Sequence, residues 1–143
     1  MKKFLICVLF LSGTVTSIVV GQDLKSKDVP EAVKTAFAQK YPDTKKVSWE
    51  KEKGNYEANW GGKSGEDSSV TFTPSANFVE IVIALPVNQL PPSVAPYVSS
   101  HYKGAKIREA GKITDAAGRH MFEAEIKDKD LIFDEKGSFL KED

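Results

Sequence analysis

Histidine, cysteine, serine and paired carboxylates are the residues that most often do chemistry, and here their spacing argues against it. His101 and His120 fall in different parts of the chain, whereas a zinc site takes three or four ligands. His120 reads as a solvated strand-edge side chain near Glu123 and Glu125. No serine stands in a Gly-x-Ser-x-Gly elbow. Gly61-Gly62-Lys63-Ser64-Gly65 has the composition of a phosphate loop but lacks the first glycine at the right distance. Glu66-Asp67 follow it and would repel a phosphate, so a plain hairpin loop is the better reading. Asp128-Lys129-Asp130 sets two carboxylates at alternate positions, without the loop of oxygen ligands that calcium requires. We therefore expect no catalytic group, no metal and no cofactor, and read the protein as non-enzymatic.

Two groups remain as binding candidates. Glu57 and Asn59 in one half, and Glu123, Glu125 and Lys127 in the other, alternate with apolar residues and define a polar sheet face. That face suits docking of a protein or peptide, and it equally suits plain solvation, as in many antiparallel sheets. Trp49, Tyr56 and Trp60 on neighbouring strands form the alternative, a cluster for a small ligand or glycan. Their counterparts Phe122 and Ile126 are simply apolar, which favours a core role beneath a helix.

The elements that position these residues come from an internal repeat. Val29-Pro30, Val33, Phe37 and Tyr41 recur 61 residues on as Leu90-Pro91, Val94, Val98 and Tyr102. Tyr56-Glu57-Ala58 recurs 66 residues on as Phe122-Glu123-Ala124, and the offset returns to 61 for Val70-Thr71-Phe72 against Leu131-Ile132-Phe133. The shift implies a longer loop around Ala110 to Gly118 in the second copy and another around Gly61 to Ser68 in the first. Each copy reads as one helix followed by a four-stranded antiparallel meander, giving an α+β class. In the first copy, Asp28 and Glu31 have the spacing of a capping box, the helix ends at Tyr41-Pro42, and strands follow near 46–52, 55–60, 69–73 and 78–85. In the second copy, Pro96 falls inside the expected helix and predicts a late start or a kink. Strands follow near 106–111, 120–127, 129–133 and 138–141, with a tight turn at Asp134-Glu135-Lys136-Gly137. A unit of about 55 residues buries little surface by itself, so the copies, about 27–85 and 88–143, are expected to form one domain over 22–143.

The length of 143 residues, hydrophobic fraction of 41% and charged fraction of 28% suit one globular domain. Met1-Lys2-Lys3, the apolar run Phe4 to Leu11 and the small residues before Gln22 read as a signal peptide over 1–21. Val19 and Gly21 would occupy the −3 and −1 positions of the cleavage site. Cys7 lies within the apolar run, so it is lost with the signal and cannot carry a lipid anchor. The mature chain then carries 18 basic and 20 acidic residues and is expected to be periplasmic or secreted, with no stable membrane anchor. A sequence pI of about 6.7 argues against a nucleic-acid partner, which usually meets a domain of pI above about 9.

Val29-Pro30-Glu31-Ala32-Val33, Phe37, Tyr41-Pro42, Val47-Ser48-Trp49 and Tyr56-Glu57-Ala58, behind a signal peptide and in two copies, resemble a known family. The chain is similar to the PepSY-like, beta-lactamase-inhibitor-like proteins of Bacteroides-type bacteria. The resemblance covers the mature chain and implies two tandem copies, with helices packed on antiparallel sheet, in a periplasmic or secreted protein. Beta-lactamase inhibitor proteins bridge their repeats with disulfides, and this mature chain has no cysteine. The expectation is an exported binding module that engages, and in one version inhibits, another envelope or extracellular protein or peptide through its sheet surface.

Overall fold

A computed structural model describes residues 22–63, 65–127 and 129–143. The expected signal segment with Cys7, together with Ser64 and Asp128, lies outside the described residues. Val33 and Phe37 give helix α1 (Glu31–Lys40) one buried stripe. Ten residues are marginal as a helix in water, so α1 depends on the sheet that covers that stripe. The expected capping box does not form. Asp28 closes a 3-10 turn over Ser26–Asp28, and Pro30 is the N-cap, with no side-chain cap hydrogen bond. The reason is local: the residue before a proline is pushed out of the helical region. Val29 is accordingly extended, at φ −85° and ψ 132°, which swings Asp28 away from the helix. At the other end the Tyr41 amide donates to the Phe37 carbonyl at 2.8 Å.

Helix α2 spans Val94–His101 and buries Val94 and Val98. It starts late, as the proline predicts. Ser93 is its N-cap, so Pro96 falls in the first turn, where the missing N–H would have had no intrahelical acceptor.

Among the described residues there are nine strands, in chain order β1 (Gln22–Leu24), β2 (Ser48–Glu52), β3 (Asn55–Trp60), β4 (Ser68–Phe72), β5 (Phe78–Ala84), β6 (Glu109–Asp115), β7 (His120–Ile126), β8 (Lys129–Asp134) and β9 (Phe139–Glu142). They form a single antiparallel sheet in which every strand pairs with its neighbours in sequence. Strand β1 was not anticipated: its three residues are too few for an alternating pattern, and Leu24 simply pairs with Trp49. Strand β6 corrects the expected loop at Ala110 to Gly118 and the expected strand end at Gly111. It runs to Asp115 and pairs with β5, placing Val82 opposite Ile113 and joining the two halves. Gly111 is a close-approach position within β6, since a Cβ there would stand 2.6 Å from Val82 Cγ1. Between β2 and β3, Lys53 (φ +48°) and Gly54 (φ +83°) make a two-residue turn whose left-handed backbone matches strand twist.

Both helices cover one face of the sheet, each over its own core. Under α1 lie Trp49, Ala58, Val70 and Phe72. Under α2 lie Ala124, Ile126, Leu131 and Phe133.

Candidate functional site

Strand alternation sends Ala58 and Ala124 toward the helices and Glu57, Asn59, Glu123 and Glu125 to the opposite face. In a flat sheet, Glu57 on β3 and Glu123 on β7 would stand four strand spacings apart, about 19 Å, yet both line one cavity. The turn before β3 and the end of β9 would be separated by six spacings, about 29 Å. Instead Lys53 Nζ in that turn forms an ion pair with the Asp143 carboxylate. The sheet therefore curls away from its helices into an open trough, bridged by the Lys53–Asp143 pair.

The floor of the trough is apolar, built from Val79, Val82, Ile113, Met121 and Ile132. Its walls carry carboxylates that burial holds toward their neutral form. Glu123 is the extreme, pushed up to about 8 by desolvation and then by the charges of Asp130, Glu80, Glu57 and Glu125. Glu57 is raised by burial, partly offset by a hydrogen bond from Ser69, with Glu52 and Glu50 adding to the rise. Burial also raises Glu80 and Asp130, each against an opposing cation: Lys141 and Lys53 for Glu80, Lys53 for Asp130. Asn59, 8% exposed, donates from Nδ2 to Glu50 Oε1 at 3.5 Å. Glu125 is raised by burial and by Glu109 and Asp130, with Arg108 opposing. Such a surface combines apolar contact with negative charge, and its carboxyls stand ready to pair with an incoming cation.

Of the polar residues singled out by alternation, four share this trough. Lys127 does not: it is exposed in the turn after β7 and lines a separate basic pocket on the helix side. The aromatic trio belongs to the packing under α1. Trp49 is 4% exposed, with its ring 5.4 Å from that of Phe37. Tyr56 is half-buried in the same core, and Trp60 sits at its edge, 4.8 Å from Tyr41 between ring centroids. His101 stacks on Tyr97 at 3.9 Å, and His120 Nδ1 meets Thr114 Oγ1 at 3.0 Å. Among the described residues, no group of three or more His, Cys, Asp or Glu has the placement to hold a metal. Sequence reasoning missed Glu80 and the floor residues, and weighed Asp130 only as a calcium contact. The run Phe78 to Ala84 is almost wholly apolar, which conceals that β5 has two faces. Only the pairing of Glu57 with Thr71, and of Thr71 with Glu80, brings Glu80 into line.

The geometry has relatives. A protein described as periplasmic from Bacteroides eggerthii shares 19% identity, with a TM-score of 0.63 over 80% of this chain and 88% of that one. A DUF2874 family protein from Bacteroides ovatus shares 20% identity at a TM-score of 0.61, over 80% of this chain and 86% of its own. A protein from Bacteroides fragilis described as BLIP-like shares 24% identity at a TM-score of 0.55, over 80% and 84%. All three are crystal structures, and at this identity the likeness is one of fold. No curated protein matches the chain. The family described as "Putative beta-lactamase-inhibitor-like, PepSY-like" matches residues 18–61 and 62–141. With both segments matched, nearly the whole described chain is accounted for, and the protein belongs to the PepSY-like family.

Proposed function

We propose that the protein is an exported, non-enzymatic binding module whose trough docks a segment of another envelope or extracellular protein. The observation that carries this reading is the pairing of an apolar floor with buried carboxylate walls. Apolar surface gives the contact its driving force, and the carboxylates select a partner that brings lysine or arginine. The aliphatic stem of such a side chain lies on Val82 and Met121 while its charged head meets Glu57, Glu80 or Glu123. An envelope location is supported by the order of charge, apolar run and small residues over 1–21 and by similarity to proteins described as periplasmic. The reading also keeps the chain as one domain of two helix-plus-four-strand copies, about 27–85 and 88–143, which fits the alternation of helices and strands.

The test is affinity capture from envelope extract using the tagged chain beside its Glu57→Lys/Glu123→Lys and Met121→Arg variants. One stoichiometric protein, retained by the parent and lost by both variants, is the expected result. A partner held equally by all three, or none held above background, would overturn docking in the trough.

A further inference from the structure

Two basic pockets recur at one end of the molecule. Since neighbouring strands run in opposite directions along the sheet, β2 and β6 begin, and β3 and β7 finish, at the same end. In the first half, the loops there border an open pocket of about 710 Å³ lined by Lys45, Lys46, Lys63, Trp60 and Asp43, among others. In the second half, a pocket of about 570 Å³ is lined by Lys103, Lys106, Arg108, Lys127, Lys129 and Tyr102. One cation occupies a matching place in the two copies: Lys106 stands 61 residues after Lys45, the offset that aligns α1 with α2.

Local structure does not account for this gathering. Cations near a helix C-terminus are favoured by its dipole, which explains Lys103 after α2 but not Arg108 just before β6 or Lys127 in the turn after β7. Lys129 is engaged by the Glu142 carboxylate. Lys103, Lys106, Arg108 and Lys127 make no ion pair among the described residues. No acidic side chain lines the second pocket among the described residues. In a chain with 20 basic and 20 acidic residues, the second pocket thus gathers five cations without an acid on its described lining.

We propose that this end is a docking surface for an acidic polysaccharide, with charged sugars seated in both pockets. Each pocket pairs cations with an aromatic wall, Trp60 in one and Tyr102 in the other. Cations meet the sulfate or carboxylate of an acidic sugar, while an aromatic ring accepts the apolar face of its pyranose. The pockets lie at the same end of the sheet, one at the β2–β3 margin and one at the β6–β7 margin. A repeating polymer can reach both, whereas a single phosphate or lipid headgroup fills one pocket. Engagement of both pockets by one chain multiplies affinity through effective concentration.

The experiment measures binding of the purified protein to heparin and to polygalacturonate, with dextran as the neutral control and phosphatidylglycerol vesicles as the lipid arm. Both acidic polymers are expected to bind at low salt, and dextran not at all. Lys106→Gln/Arg108→Gln/Lys127→Gln, which neutralises one pocket, is expected to weaken binding at least about tenfold. Adding Lys45→Gln/Lys46→Gln/Lys63→Gln is expected to abolish it. Lys51→Gln/Lys136→Gln, away from this end, should leave it unchanged and so excludes a simple net-charge effect. No polymer binding, an equal loss in the control variant, an unchanged affinity in the one-pocket variant, or binding to vesicles alone would each overturn the proposal. None of these outcomes touches the trough, so docking of a protein there stands or falls separately.

Discussion

Glu123 lies where a carboxylate is least comfortable, walled by Glu57, Glu80, Glu125 and Asp130 and largely shielded from water. Its folded-state pKa of about 8 exceeds the ordinary value of 4.5, so between those two values the folded protein holds a proton that the unfolded chain releases. Stability contributed by the neutral form is therefore present below pH about 4.5 and is lost as pH rises toward about 8. Glu123→Gln, which cannot ionise, should match the parent in thermal unfolding at pH 4. At pH 9 it should exceed the parent by about 1–3 kcal/mol, the desolvation and like-charge cost that the amide avoids. An identical pH dependence in the two proteins would show that Glu123 is not shielded as described. At this scale the site was half legible. Glu57, Asn59, Glu123 and Glu125 announce themselves because each alternates with an apolar neighbour. Glu80 does not, because Val79, Ile81, Val82 and Ile83 crowd around it on both faces of β5.

At the scale of elements, prolines and glycines decided where expectation and structure parted. The Val29-Pro30 step places α1 correctly but dissolves the capping box, because the same proline that presets the helix start extends Val29 before it. Pro96 reads as a helix breaker until the start of α2 is known; with Ser93 as N-cap it occupies the first turn. Pro96→Ala should then change the denaturant midpoint by less than about 1 kcal/mol in stability terms, rather than recover the roughly 3 kcal/mol that an interior proline costs. A gain near the larger figure would place Pro96 deeper in the helix. Gly111 misled in the opposite sense. As a lone glycine beside Lys112 it suggests a strand end, but β6 continues through it because Val82 needs the space that a side chain would fill. Register between distant strands is set by such contacts, which no local pattern contains.

The molecule as a whole owes its trough to curl. A flat nine-stranded sheet would leave the Glu57 and Glu123 surfaces facing solvent independently. The clasp between Lys53 and Asp143 instead joins the turn between β2 and β3 to the end of β9, and the acidic walls face across an apolar floor. This was the least legible feature, since curvature accumulates from small twists between strands and is written in no single segment. Among the described residues the two cores share no buried side chain, and the sheet passes from one to the other through the pairing of β5 with β6.

That seam bears on how the protein comes apart. With separate cores on either side, the halves are candidates for distinct cooperative units, each opening at its own free energy. Native-state hydrogen exchange should resolve two protection classes, one containing the amides of β3 and β4 and the other those of β7 and β8. A single class would mean that the Val82–Ile113 seam transmits unfolding as efficiently as a shared interior does. If two classes are found, any molecule that grips both walls of the trough is also a mechanical brace, and its presence should merge them into one.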